Sequence, residues 1–198
     1  MDEPIEKIRC YVRSELGAAG SHGMDHTDRV THLCRRIGEC EHADLDILIP
    51  AAMLHDIARP REKEQGLPHE VEGARMAEVY LTSINYNPVL IPAICAAIRT
   101  HRFRSDDRPE SREAKILSDA DKLDAMGAVG IARTFMRAAE HGGDITDAVV
   151  HFHEKLLKLK DLMYTETGRD IAQTRHAILI TFLQDLEQET EDSLPGVT

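Results

Sequence analysis

The sequence predicts an all-α protein, and three observations carry that prediction. Apolar residues recur at helical spacing through most of the chain, no stretch alternates long enough for a half-buried strand, and Gly, Pro, Asn and Asp residues separate the periodic segments. At 198 residues, 42% of them hydrophobic and 30% charged, the chain suits one folded core. The expected organisation is a single domain over 1–198, with a core at about 22–186 and an acidic tail at 187–198. No internal repeat or low-complexity linker interrupts it.

Pro4 suits the first turn of a helix running to about Leu16, where Gly17 and Gly20 stop it and leave His22 and Gly23 in a loop. A second helix is expected at about 25–41, with Val30, Leu33, Cys34 and Ile37 as its buried stripe. His26, four residues before Val30, extends that stripe inward. Asp44 or Asp46 caps a third helix, whose apolar run from Ala51 to Leu54 ends in His55-Asp56. Residues 59–68, with Pro60, Gly66 and Pro68, are expected as a charged loop flanking an opening.

A fourth helix starts near His69, with Val71, Ala74, Ala77 and Leu81 as its expected inner face. Asn87-Pro88 opens a fifth, whose stripe of Ile91, Ile94, Cys95 and Ile98 carries His101 at its C-terminal end. After a polar loop at 103–110, Ser111 caps a sixth helix bearing Ala114, Leu117 and Asp121 at the same spacing. Gly127 and Gly130 allow a bend before a helix at 131–139, and His141-Gly142-Gly143 breaks the chain. Two further helices are expected at about 147–163 and 168–189, before a fraying tail containing Pro195-Gly196.

The net charge of −11 argues against a nucleic-acid polymer as partner, but leaves room for a small anionic substrate where cations gather locally. No apolar run approaches the roughly 20 residues that span a bilayer, and Met1-Asp2-Glu3-Pro4 lacks the basic-then-apolar order of a signal peptide. No membrane association and a cytoplasmic location are therefore expected. Cys10, Cys34, Cys40 and Cys95 form no C-x-x-C pair and are read as reduced thiols. Eleven histidines beside no tryptophan is the first hint of metal chemistry.

That hint sharpens in the pattern. His26, His101 and Asp121 each sit near one end of the apolar stripe of a different helix, and His55-Asp56 closes another. One inward histidine is ordinarily a core residue bonded to a carbonyl, but repetition on several helices is not explained that way. Burying a carboxylate such as that of Asp56 costs several kcal/mol unless it is paired or bound to an ion. Imidazole nitrogen with carboxylate oxygen suits Mn, Fe, Co, Ni or Zn. Adjacent helical residues diverge by roughly 100°, so His55 and Asp56 share one ion best where a helix ends at a cavity.

The ordered set His26, His55-Asp56 and Asp121 resembles the H…HD…D signature of HD-domain metal-dependent phosphohydrolases. Asp25-His26-Thr27-Asp28-Arg29-Val30 is similar to the family's first-ligand helix, and Asp119-Ala120-Asp121-Lys122-Leu123-Asp124-Ala125 to its last. Segments 127–133 and 154–160 resemble a bacterial and archaeal branch of small single-domain members, some described as nucleotide pyrophosphohydrolases. The likeness runs from about Asp25 to Leu186. It implies a helical HD-domain bundle with one divalent ion (Mn, Fe, Ni, Co, Zn or Mg) on His26, His55, Asp56 and Asp121. His69 and His101 fall in the order in which two-metal members place further ligands, so a second, weaker ion is an alternative, with Asp56 as the bridge. The Glu-Asp that follows His-Asp in hydrolases of hyperphosphorylated guanosine nucleotides is missing, since Ile57-Ala58 follow instead.

The function implied is hydrolysis of a small phosphorylated metabolite, a nucleotide first, at a phosphomonoester or pyrophosphate bond by a metal-activated water. Asp56, His69 and His101 are the expected catalytic groups. Arg29, Arg59, Arg102 and Lys122 are the candidate substrate cations, with Arg104 and Lys155 behind them. Asp119 and Asp124 are expected to orient ligands or fix a helix start. An HD-fold di-iron oxygenase and a non-catalytic metal- or nucleotide-binding regulator are the rivals. Helical enzymes of this size are often dimers, which makes a homodimer an admissible assembly.

Overall fold

The computed structural model describes residues 3–17, 23–102 and 107–192, without the side chains at 63, 65, 191 and 192. The sequence features at Gly20, His22, residues 103–106 (Arg104 among them) and Pro195-Gly196 lie outside the described residues. The described residues contain α1 (Glu3–Leu16), α2 (Met24–Cys40), α3 (Leu45–Leu54), α4 (Arg59–Gln65), α5 (His69–Ser83), α6 (Ile91–Thr100), α7 (Arg112–Asp124), α8 (Gly127–Glu140), α9 (Ile145–Glu154) and α10 (Glu166–Asp192). A 3₁₀ segment covers Leu156–Leu162, and no strand occurs among the described residues. The chain forms two compact units, Met1–Lys122 and Leu123–Thr198.

In the first unit α3 packs against α1, α2, α5 and α6. Every residue from Leu48 to Leu54 is buried, as expected of a helix that is apolar all round. Asp44 caps it by accepting from the backbone N–H of Asp46. Pro50 lies inside the helix and has no N–H to offer the carbonyl four residues back, that of Asp46. Tyr86 fills the gap, its hydroxyl donating to Asp46 O at 2.6 Å. Burial, with Asp46 and Asp44 nearby, pushes the Tyr86 hydroxyl up to about 12, so it remains a donor.

Several expectations change in this unit. Residues 59–65 are helix, because Arg59 and Pro60 occupy the first two helical positions, where proline has no N–H to lose, and Gly66 (φ 70°) closes the end. Val71 is half exposed, whereas His69, Gly73, Ala74, Met76, Ala77 and Leu81 are buried, so α5 starts its inner face on the histidine. Asn87 caps a turn through Val89 N, and α6 begins later, at Ile91. Ser111 caps α7 through Ala114 N. Hydrogen bonds from Asp44 N to Glu113 and from Arg112 to His42 O tie the start of α7 to the α2–α3 turn.

In the second unit α10 packs against α8 and the 3₁₀ segment, and α9 against both of those. Phe135, Phe152 and Phe182 meet with ring centroids 5.9–6.2 Å apart. The helix expected over 147–163 is two elements. Asp144 starts α9 through a capping box with Asp147, and the backbone turns out of the helix at Lys155. Leu156 and Leu159 are both buried, and a three-residue turn aligns residues at that spacing on one side. Helix α8 starts at Gly127, not at 131, and α10 continues to Asp192, past the expected start of the tail. Asp124 receives Arg133 Nη1 at 2.6 Å, an ion pair that spans the turn into α8.

Candidate metal centre

Four helix ends and the last turn of α7 meet within the first unit. His26 is the third residue of α2, His55 and Asp56 form the turn after α3, His69 opens α5, and His101 closes α6. All five are buried, and Asp121 of α7 keeps 23% of its side chain exposed.

The two oxygens of Asp56 divide the site. Oδ2 lies 3.5 Å from His26 Nε2 and 3.6 Å from His55 Nε2. Oδ1 lies 3.4 Å from His69 Nε2 and 3.5 Å from His101 Nε2. His26 Nε2 is also 3.2 Å from His55 Nε2 and 3.4 Å from Asp121 Oδ1, and the Nε2 atoms of His69 and His101 are 3.4 Å apart. His26, His55 and Asp121 offer ligand atoms within 4.8 Å of one another, and so do His55, Asp56 and His101.

The chemistry of this donor set fits a divalent ion. His55 Nδ1 donates to Ala52 O at 2.7 Å and His101 Nδ1 to Ile98 O at 2.6 Å. Each ring therefore carries its neutral-state proton on Nδ1 and turns a lone pair toward the carboxylates. Burial lowers the pKa of His55 to about 4, keeping it a neutral ligand. Burial would also lower His101, but the Asp56 carboxylate 3.5 Å from its Nε2 raises it instead. Burial pushes Asp121 up, yet His26 and His55 hold it well below the usual carboxylate range. Ligands at roughly 2.1 Å from one ion, at tetrahedral or octahedral angles, stand about 3.0–3.4 Å apart, close to the separations found.

Of the expected cations, Arg59, Arg102 and Lys122 are engaged by neighbouring carboxylates or a hydroxyl. Arg59 Nε bonds Asp56 Oδ1 at 2.9 Å, and its Nη1 reaches Glu62 at 3.1 Å. Arg102 Nη1 lies 3.1 Å from Glu62 and 3.2 Å from Glu70. Lys122, buried, donates to Ser118 Oγ at 2.8 Å and lies 3.6 Å from Asp119, and burial lowers its pKa. Arg29 is half-buried one turn after His26. Lys155 is the C-cap of α9, in the second unit.

Sequence reasoning missed Glu62 and Glu70, which with His69 form a third cluster of ligand-type atoms. Reading 59–68 as loop hid Glu62. The signal was present, since Arg-Pro at the first two helical positions followed by a glycine seven residues later is a short helix with both ends marked.

A model of the HD domain matches residues 23–126, the segment that holds every residue of this centre. The chain belongs to the HD domain family. It is 38% identical to the protein YpgQ of Bacillus subtilis (strain 168) over 203 aligned positions, 97% of this chain and 94% of that one. A crystal structure of Bacillus subtilis YpgQ in complex with ADP matches with a TM-score of 0.78 at 35% identity, covering 98% of this chain and 100% of that one. An HD-superfamily hydrolase from Bacillus thuringiensis matches with a TM-score of 0.77 at 32% identity, covering 96% and 97%. HD domains bind divalent metals, and the paired histidine and aspartate of this chain are His55 and Asp56.

Proposed function

We propose that this HD domain is a metal-dependent phosphohydrolase acting on a small phosphorylated metabolite, with nucleotides as the first substrate class. The observation that carries the reading is the division of Asp56 between two imidazole pairs, a donor arrangement that calls for a cation beside a buried carboxylate. ADP bound to the related YpgQ supports a nucleotide.

His26, His55, Asp56 and Asp121 would hold the ion. A divalent ion held there supplies charge neutralisation at a phosphoryl group and lowers the pKa of a water toward neutrality. Asp56 would help hold the ion and orient a water. His69 and His101, on the Oδ1 side, would hold or move the proton of the attacking or leaving oxygen through Nε2. Arg59 and Arg102 supply cations that a phosphoryl group can draw from their internal carboxylates, and Arg29 and Lys122 are further candidates. A second ion on His69 and His101 is the alternative use of the same atoms, and Arg59 competes with it for Oδ1.

The test is turnover of nucleoside mono-, di- and triphosphates and simple phosphate esters by protein stripped of metal and reloaded with Mn, Co, Ni, Mg or Zn. Hydrolysis of at least one nucleotide is expected, with His55→Ala and Asp56→Ala losing activity and metal together. Absence of turnover across the panel overturns the reading. Two irons per chain with oxygen consumption would favour the oxygenase, and tight nucleotide binding without turnover the regulator.

A further inference from the structure

His69 solves a problem that His55 and His101 do not have. Those two rings receive their tautomer from a backbone carbonyl three residues earlier, at the end of a helix that precedes them. His69 is the first residue of α5 and follows Gly66, Leu67 and Pro68, so no helical carbonyl lies behind it. Its Nδ1 instead lies 3.0 Å from Glu62 Oε2 and 3.2 Å from Glu70 Oε2. Nδ1 faces both carboxylates, with Glu62 the nearer.

Glu62 is the better placed of the two. Its Oε2 is 3.1 Å from Arg59 Nη1 and its Oε1 is 3.1 Å from Arg102 Nη1. Arg59 in turn bonds Asp56 Oδ1 through Nε, and Asp56 Oδ1 faces His69 Nε2 at 3.4 Å. The contacts close on themselves: Asp56 to Arg59, Arg59 to Glu62, Glu62 to His69, and His69 back to Asp56.

We propose that Glu62 is a positioning residue for His69, fixing the imidazole as its Nδ1–H tautomer so that the Nε2 lone pair faces the Asp56 centre. Carboxylates accept hydrogen bonds and cannot donate them, and Glu62 at 3.0 Å from Nδ1 is a closer acceptor than Asp56 Oδ1 at 3.4 Å from Nε2, so the Nδ1–H tautomer is favoured. Arg59 couples the two ends of the ring, holding Asp56 with one nitrogen and Glu62 with another. The proposal rests on the reading above in taking His69 as a proton-transfer group, but the tautomer itself is measurable without it.

The test uses the full chain in two measurements. Two-bond ¹H–¹⁵N correlation spectra after chelation, with the His69 signal assigned from its loss in His69→Gln, report the tautomer directly. The wild-type chain and Glu62→Gln should both show Nδ1–H, since the amide oxygen still accepts, whereas Glu62→Ala should shift His69 toward the Nε2–H form. With Mn and either ADP or ATP, Glu62→Ala should lower kcat about tenfold with KM changed less than about twofold, and Glu62→Gln should restore most of the loss. An unchanged tautomer in Glu62→Ala overturns the proposal whatever the kinetics show, and if that variant does not fold, an Nε2–H ring in Glu62→Gln does the same. A shifted tautomer with turnover unaltered in both Glu62→Ala and His69→Gln supports the positioning and removes His69 from the reaction.

Discussion

Arg59 Nε sits 2.9 Å from Oδ1 of Asp56, on the oxygen that faces His69 and His101. The Asp56 carboxylate is buried, while Arg59 keeps 25% of its side chain exposed. Burial would lower Arg59, but Asp56 and Asp121 outweigh it and hold the guanidinium charged. Removing one partner of a buried pair leaves an uncompensated charge. Arg59→Met should therefore destabilise chelated protein by about 2 kcal/mol. An added divalent ion should raise its melting temperature more than that of the wild type, because binding to the folded state stabilises by mass action. Thermal scans with and without Mn check both effects.

The Tyr86 hydroxyl replaces the hydrogen bond that Pro50 withholds from Asp46 O. Tyr86→Phe should cost about 1 kcal/mol, the worth of one hydrogen bond with its acceptor still reachable by water. Metal content should not change. Urea melts with elemental analysis of the purified variant decide it.

Gly130 lies where α8 begins, and a Cβ built on it would stand 2.3 Å from Ala125 O, a backbone atom that cannot swing aside. Gly130→Ala should destabilise by about 2 kcal/mol or more, through displacement of the helix start. An increase in stability, as alanine ordinarily confers in a helix, would contradict this packing. Chemical denaturation of the full chain is the measurement.

Glu72 receives Arg75 through two hydrogen bonds and Arg61 through a third. The Arg75 hydrogen bond, against the opposing effect of burial and with help from Arg61, brings its pKa to about 2 from an ordinary value of 4.5. Between those values the unfolded chain binds more protons than the folded one, so stability rises with pH across that window. The contribution is fully present above about pH 4.5 and is lost as pH falls toward 2. Because Arg75 is 60% exposed and Arg61 36%, solvent screening holds it to about 1 kcal/mol. Glu72→Gln should lose that amount near neutral pH and match the wild type at the acid end, read from melts across the acid range.

Much of the site was legible in the sequence because its members lie on regular helical stripes. Val30 and Ile37 mark the face that carries His26, and Ile94 and Ile98 the face that carries His101. The HD pair stood out because an apolar run cannot end in an aspartate without a reason. Glu62 was not legible from stripes, since α4 is short, charged and has no apolar face to betray its register. Val71 was misread for a related reason. The inner face of α5 begins on a polar histidine, and a search for apolar residues passes over it.

Periodicity and the cost of burying charge make the helical class, the interior all-apolar helix, and the inward histidines and aspartates readable from the chain alone. How they divide is set by the folded arrangement. That Asp56 gives one oxygen to His26 and His55 and the other to His69, His101 and Arg59 depends on where separate helix ends arrive, which no spacing along one chain records. The same holds for Glu62, whose meeting with His69 is made by the approach of α4 to α5.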